Sequence, residues 1–166
     1  MADDDPVSEQ SPFDPARLLC ADCVRTDVQV TDMVDLMRTM AEPMSRATGI
    51  GASAIAEGLV QRERVQSTAF GGGVAVPHAR LPEAGRITGA LAILRTPLDM
   101  DALDGAPVDL VYALVSPETA GADHLKALAA VSRLFRDRQL VTKLRGAQSG
   151  DAVNALLVSG GWSLAG

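Results

Sequence analysis

This chain of 166 residues has few aromatic side chains, since only 3% of its residues are Phe, Trp or Tyr while 47% are hydrophobic. Its core must therefore be mostly aliphatic, and the chain has few aromatic rings on which nucleic-acid bases could stack. Basic residues are outnumbered by acidic ones, 15 to 21, which argues against a nucleic-acid or anionic-membrane surface. No apolar run approaches the roughly 20 residues of a membrane span, and the start of the chain is acidic rather than signal-like. These absences predict a cytoplasmic protein without membrane insertion.

Cysteine and histidine are also scarce, with two of each. In the cytoplasm Cys20 and Cys23 are expected to be reduced thiols. Together with His78 and His124 they would supply four zinc ligands, but the long intervals between these residues fit no compact zinc module. A thioredoxin-type motif would follow a strand and open a helix, whereas this pair precedes the first clear strand. We therefore interpret the cysteines as two small hydrophobic residues at the edge of the domain, and expect no metal or other cofactor.

The length of the chain indicates one domain. Residues 1–16 contain five acidic residues, three prolines and no basic residue, which is typical of a solvated, disordered tail. The folded domain is predicted over residues 17–158, and residues 159–166 are predicted to form a C-terminal tail. The sequence shows no internal repeat and no second domain.

The order of apolar patterns predicts an α/β fold. A strand over 24–30 precedes a helix with Thr31 as its N-cap, running to about Thr48, with a kink or early end at Pro43. The other predicted elements are a helix over 53–64, buried strands over 87–94 and 108–115, and helices over the last third of the chain. This order favours a three-layer sandwich with a mixed β-sheet flanked by helices, in a single domain.

A glycine run enters a short apolar segment that ends at a proline and a histidine: Gly71-Gly72-Gly73-Val74-Ala75-Val76-Pro77-His78. Imidazole can act as a base or nucleophile near neutral pH, and glycine permits close approach of a ligand or partner. The run is not a P-loop, because no Lys-Ser/Thr pair follows, nor a dinucleotide fingerprint, because no helix opens behind it. A simpler alternative is that His78 ends a strand with one ring nitrogen bonded to a backbone carbonyl.

Other polar residues allow two interpretations each. His124 lies near a predicted helix start, where backbone N–H groups favour an anion, although taken alone it is more simply interpreted as a surface histidine. Arg62 could pair with an anion or remain an exposed helix charge. Four acidic residues could form a carboxylate site, although a turn-rich loop of this kind favours local hydrogen bonding; they are Asp99, Asp101, Asp104 and Asp109.

Taken together, the residues from Leu59 to Leu81 resemble the signature of enzyme IIA domains of the bacterial phosphoenolpyruvate:sugar phosphotransferase system. The resemblance is to the mannitol/fructose type and, within it, to the nitrogen-regulatory branch. The matching features are Arg62-Glu63, Ser67-Thr68, the glycine-to-histidine octapeptide, residues 107–111, His124-Leu125 and residues 144–147. The resemblance covers about residues 18–158, nearly all of the predicted domain.

This resemblance implies that His78 accepts a phosphoryl group from a histidine-containing phosphocarrier protein, with His124 and Arg62 flanking it. Positions expected to bind the phosphoryl group or the partner are Ser67, Thr68, Gly71, Gly73 and Arg80. The chain would be a phosphotransferase component rather than a stand-alone turnover enzyme. Its phosphoryl group would pass to a cysteine of an enzyme IIB domain or act as a regulatory switch.

An alternative is a regulatory module that docks to a kinase or potassium transporter without phosphoryl transfer, and a homodimer is left open. Three features depart from the family pattern: Gly72 replaces an expected Asn, Ala79-Arg80 follows the histidine, and the acidic tail has no counterpart.

Overall fold

A computed structural model describes residues 12–158, in which six strands form one mixed sheet between two layers of helices. The strands are β1 (Leu19–Val28), β2 (Ala69–Gly71), β3 (Val74–Ala75), β4 (His78–Leu81), β5 (Thr88–Leu98) and β6 (Val108–Pro117). The helices are α1 (Pro15–Leu18), α2 (Met33–Thr48), α3 (Ala52–Val65), α4 (Ala122–Leu134), α5 (Arg138–Gly146) and α6 (Gly150–Leu156). The predicted α/β sandwich with a mixed sheet is confirmed.

Strand β6 organises the sheet, whose order is β1-β5-β6-β3-β2 with β4 also paired to β6. One edge of β6 pairs antiparallel with β5, and the other pairs in parallel with β3 along its first half and β4 along its second. Between these two short strands, the carbonyl of Pro77 accepts a hydrogen bond from the N–H of Leu114. The apolar segment therefore follows β6 and delivers His78 opposite Leu114.

Two hydrophobic layers enclose the sheet. Alternate residues of β6 pack on opposite faces, as the period of a strand requires. Val111, Ala113 and Val115 belong to the cluster formed with α2 and α3, and Leu110, Tyr112 and Leu114 to the cluster formed with α4, α5 and α6. Both faces of β6 are therefore covered, which explains why its sequence is apolar almost throughout.

The beginning and course of α2 differ from the sequence prediction. Its N-cap is Asp32, whose carboxylate accepts the N–H of Asp35, while Thr31 donates its own N–H and hydroxyl to Asp35. The helix also continues through Pro43 to Thr48 rather than ending early. Pro43 is buried, so core packing on both sides of it outweighs the single backbone hydrogen bond that proline lacks.

The expectation of free thiols is wrong, because Cys20 and Cys23 form a disulfide within β1. Their Cα atoms are 5.1 Å apart, whereas three residues of regular strand would span about 10 Å. Asp22, with φ of 62°, folds the strand back between them. Strands β5 and β6 separate β1 from β4, and no cluster of metal-ligating side chains occurs within residues 12–158. The four-ligand zinc hypothesis is therefore contradicted.

The first helix begins slightly before the predicted domain start at residue 17. Helix α1 begins at Pro15, where Asp14 caps the helix and the Tyr112 hydroxyl donates to the Pro15 carbonyl. The tail prediction for residues 1–11 and for 159–166 lies outside the described residues. Over residues 12–158, no helix combines the length and apolarity needed to cross a membrane.

Candidate functional site

His78 is the first residue of β4, and a hydrogen bond to one ring nitrogen determines its tautomer. The neighbouring positions Ala79 and Leu81 pack in the α2–α3 layer, so His78 and Arg80 face the opposite side of the sheet. Nδ1 of His78 lies 2.9 Å from the carbonyl oxygen of Val76. A carbonyl can only accept, so Nδ1 carries the ring proton and Nε2 keeps its lone pair. The simpler sequence alternative, a ring nitrogen bonded to a carbonyl, is thus compatible with a nucleophilic imidazole.

Close packing of α3 on β4 brings Arg62 to the same place. A Cβ atom at Gly58 would lie 2.9 Å from Leu81 Cδ2 and 3.3 Å from Ala79 Cβ, so glycine lets the helix approach β4 without displacing these side chains. Arg62, near the end of α3, lines both depressions that flank His78. Its guanidinium donates to the carbonyl of Gln66 at 2.9 Å, which holds the charge at the end of the helix.

His124 also lies beside His78, in the first turn of α4. The two ring centroids are 5.4 Å apart, with the planes inclined by 55°. His124 is only 3% exposed, and its Nδ1 is 2.7 Å from the hydroxyl oxygen of Ser116 on β6. The alternative of a surface histidine is therefore wrong. Arg80, paired with Ser116 in the sheet register, completes a polar group around the two rings.

The surroundings keep both imidazoles neutral. Burial lowers the pKa of His78, opposed by the hydrogen bond to the Val76 carbonyl and reinforced by the positive charge of Arg62. Burial also lowers the pKa of His124, to about 4, with further contributions from the charges of Arg80 and His78. A neutral imidazole offers one lone pair and one N–H donor, so the pair can supply a nucleophile and a hydrogen-bond donor at neutral pH.

The predicted binding residues Ser67 and Thr68 line the same depression as His78, but their hydroxyls are already bonded. Thr68 donates from both its N–H and its hydroxyl to the buried carboxylate of Glu63, each at 2.8 Å. Ser67 donates to the carbonyl of Met100. Sequence reasoning did not select Glu63 as a site residue, although it stands beside Arg62 in the signature. These contacts fix the loop that follows α3 and, with it, the wall of the site.

The glycine run forms a tight turn between β2 and β3, with positive φ at Gly71, Gly72 and Gly73. Asp104 accepts the N–H of Gly72, and Arg145 donates to the Gly72 carbonyl. Gly71 and Gly72 line a separate depression that does not include His78. The structure therefore places the glycines beside the site's supporting strand and does not bring them to the imidazole.

The acidic residues considered as a carboxylate site have separate hydrogen-bond and ion-pair partners instead. Asp99 accepts the N–H of Asp101, Asp104 accepts the N–H groups of Gly72 and Ala106, and Asp109 pairs with Arg145. Asp99 and Asp101 border the depression beside His78, but Asp104 and Asp109 do not. The loop interpretation is confirmed for Asp99 and Asp104, whereas Asp109 lies in β6 and forms a long-range ion pair with Arg145 of α5.

Exposed apolar side chains surround His78. Val65 is 81% exposed, Leu103 83% and Leu125 62%, and Phe70 is also exposed. All four line the depressions that flank His78. Large exposed apolar side chains that cluster in this way mark surfaces for another macromolecule.

Comparisons with known proteins agree with this geometry. Residues 17–159 match the family described as "Phosphoenolpyruvate-dependent sugar phosphotransferase system, EIIA 2". A nitrogen regulatory protein of Bradyrhizobium diazoefficiens is 40% identical over 140 residues, which are 84% of this chain and 92% of the relative. The crystal structure of nitrogen regulatory protein IIA-Ntr from Neisseria meningitidis is 30% identical, with a TM-score of 0.80, covering 86% of this chain and 97% of that one.

A more distant structure shares the fold. The mannitol enzyme IIA of Escherichia coli, in its complex with phosphorylated enzyme IIB, has a TM-score of 0.69 at 16% identity, covering 84% of this chain and 98% of that one. The two-histidine arrangement, the sheet topology and the family match over residues 17–159 lead to one conclusion: this chain belongs to the EIIA type 2 family of the phosphoenolpyruvate-dependent sugar phosphotransferase system.

Proposed function

We propose that this chain accepts a phosphoryl group on Nε2 of His78 from the phosphohistidine of a histidine-containing phosphocarrier protein. The observation that carries the proposal is the 2.9 Å hydrogen bond between Nδ1 of His78 and the Val76 carbonyl. Because that bond fixes the ring proton on Nδ1, it leaves the Nε2 lone pair as the nucleophile.

The transfer can be written with its atoms and electrons balanced. The Nε2 lone pair of His78 forms a bond to phosphorus while the nitrogen–phosphorus bond of the donor breaks and its electron pair returns to the donor ring. The His78 ring becomes cationic. It keeps its Nδ1 proton, which stays hydrogen-bonded to the carbonyl of Val76. Such a reaction depends mainly on in-line positioning and on neutralising charge that spreads over the phosphoryl oxygens.

Three side chains are placed to neutralise that charge. Arg62 presents a guanidinium beside His78, and a guanidinium binds phosphoryl oxygens in a bidentate manner. Arg80 adds a second positive charge, and His124 adds an N–H donor at a ring separation of 5.4 Å. Since the donor is a protein, the exposed side chains of Val65 and Leu125 form part of the contact surface.

After transfer, the phosphoryl group either passes to a cysteine of an enzyme IIB domain or remains as a regulatory switch. The complex of the E. coli mannitol enzyme IIA with phosphorylated enzyme IIB supports the first outcome through shared fold. The name of the B. diazoefficiens relative, a nitrogen regulatory protein, supports the second. Either outcome would take place in the cytoplasm. A phosphoryl group adds roughly −1.5 to −2 charge at one point, enough to change docking to a kinase or potassium transporter.

The test is incubation of the purified protein with phosphoenolpyruvate, enzyme I and the phosphocarrier protein, followed by intact-mass measurement. We expect an acid-labile phosphoryl adduct on the wild type and none on His78→Ala, with both proteins unfolding at the same urea concentration. An adduct that persists on a folded His78→Ala protein would overturn the assignment.

The second candidate function, docking without transfer, is separated by affinity capture. Wild type, His78→Ala and the charge mimic His78→Asp are immobilised and exposed to the same cell extract. We expect the charge mimic to recover a different set of partners. Equal recovery by all three would show that docking does not depend on the state of His78.

A further inference from the structure

Ser116 is a buried hydroxyl that neither the family signature nor the sequence pattern selected. It stands near the end of β6 with no exposed surface, and its Oγ lies 2.7 Å from Nδ1 of His124. In the sheet register Ser116 pairs with Arg80, two residues beyond the pair His78–Leu114. Side chains two residues apart on a strand share a face, so the hydroxyl lies behind His124 on the face that carries His78.

The partners of the two histidines differ in what they allow. The carbonyl behind His78 can only accept, so the position of the ring proton is fixed. A hydroxyl can donate or accept, so the contact between Ser116 and His124 is compatible with either tautomer of the ring. The surroundings must therefore decide which nitrogen of His124 carries its single proton.

The buried hydroxyl of Ser116 needs an acceptor for its proton, and this need selects one tautomer of the His124 ring. Within residues 12–158, the ring of His124 is the one hydrogen-bond partner of the Ser116 hydroxyl. If Nδ1 of His124 carried the proton, the hydroxyl would accept it and its own proton would be buried without an acceptor. A buried donor left without an acceptor loses its hydrogen bonds to water and destabilises the fold. If the hydroxyl donates instead, Nδ1 accepts and the ring proton must lie on Nε2.

The chemistry at His78 favours the same arrangement. His78 faces the phosphorus with the lone pair of its nucleophilic Nε2, so a second lone pair from His124, at a ring separation of 5.4 Å, would repel the phosphoryl oxygens. With the proton on Nε2, His124 faces the incoming oxygens as a donor. Protonation of the whole ring cannot replace this tautomer at neutral pH, because burial beside Arg80 and His78 keeps the pKa of His124 at about 4.

We propose that Ser116 is a positioning residue that donates its hydroxyl proton to Nδ1 of His124 and so holds the His124 proton on Nε2, facing the phosphoryl site of His78. A hydroxyl suits this task better than a carbonyl or carboxylate, since either of those would draw the proton to Nδ1. The hydroxyl can also rotate to accept from Nδ1 when a bound phosphoryl group draws a second proton onto the ring. The tautomer assignment stands on the contacts alone, whereas its effect on transfer rests on the proposed function.

The test begins with the unphosphorylated protein labelled with nitrogen-15 at histidine. Its two histidines give separate ring signals in a long-range proton–nitrogen correlation spectrum, which reports the tautomer of each ring. In the wild type we expect the proton on Nδ1 of His78 and on Nε2 of His124. In Ser116→Ala we expect His124 to show a mixture of tautomers while His78 is unchanged, and in Ser116→Thr the wild-type pattern should return.

A matched control is Thr88→Val. Thr88 is also buried at a strand end, and its hydroxyl has no partner within the described residues, so its removal leaves His124 untouched. A proton on Nδ1 of His124 in the wild type would overturn the proposal. So would an unchanged His124 tautomer in a folded Ser116→Ala protein.

The second measurement is the rate of phosphoryl transfer from the phosphocarrier protein. We expect Ser116→Ala to be slower by roughly three- to tenfold, with Ser116→Thr and Thr88→Val near the wild type. A changed tautomer with an unchanged rate would overturn the positioning function. If the wild type takes no phosphoryl group on His78, the proposed function fails, while the tautomer measurement still decides what Ser116 does to His124.

Discussion

Two polar clusters flank β6, the first beside its first half and the second beside its second half. They differ in how far their charges and hydrogen bonds are satisfied within the protein. Beside the first half, Asp109 pairs with Arg145, and Arg145 and Asp104 bond the backbone of Gly72. Beside the second half, Arg80 is exposed without an ion-pair partner among the described residues, and the bonds to His78 and His124 engage only Nδ1.

The difference indicates which cluster is structural and which is chemical. Polar groups whose charges and hydrogen bonds are satisfied inside the protein stabilise the fold, since unsatisfied ones cost free energy. Groups left open in a depression lined by exposed apolar side chains are available to a partner. The following changes should therefore separate stability from phosphoryl transfer along one strand.

The largest effect that we expect is the loss of unfolding free energy at acid pH, which we attribute to His124. Its pKa is about 4 in the folded state and about 6.5 when unfolded, so the unfolded state binds more protons between these pH values. Stability is therefore complete above about pH 6.5 and falls as the pH is lowered through this window, by roughly 3 kcal/mol. Urea unfolding at pH 7 and pH 4.5 should show a smaller loss in His124→Gln than in the wild type. Equal losses would contradict the buried, neutral state of this ring.

Gly73 should show the next largest effect, confined to stability. Its φ is +80°, and a Cβ atom there would lie 2.4 Å from Nη2 of Arg145 and 3.1 Å from Oδ1 of Asp109. Gly73→Ala should lose about 2–3 kcal/mol of unfolding free energy, from backbone strain and the displaced ion pair. Gly72→Ala is the control, because its φ is similar but no atom lies within 4 Å, so only about 1 kcal/mol should be lost.

How much of this contrast the sequence could predict depends on whether the backbone between the contacting residues follows a regular pattern. The α/β sandwich followed from apolar periods, and the resemblance of Leu59–Leu81 to a family signature selected His78. The disulfide between Cys20 and Cys23 was missed because it requires Asp22 to adopt a left-handed backbone conformation, which no local sequence pattern predicts. The Ser116 contact was missed for a related reason, since it joins a strand end to a helix start across an intervening turn.

Arg145 should affect stability but not phosphoryl transfer. Its guanidinium is 2.9 Å from the carboxylate of Asp109, with side chains 35% and 24% exposed, so the pair is only partly screened by solvent. Arg145→Ala should cost about 1 kcal/mol, measured by urea unfolding. The rate of phosphoryl transfer to His78 should match the wild type when both proteins are folded. A clear loss of rate would mean that the first cluster also belongs to the site.

Arg80 should show the smallest effect and the opposite pattern. It is exposed and without an ion-pair partner among the described residues, so Arg80→Ala should leave the free energy of unfolding within about 0.5 kcal/mol of the wild type. Its charge faces the two histidines, and the transfer rate should fall roughly two- to fivefold at low salt, an effect that salt screens. Arg95→Ala is the matched control, because Arg95 is an exposed arginine on β5 paired with Asp27, away from the histidines. If both variants slow transfer equally, the effect belongs to net charge and not to the position of Arg80 beside His78.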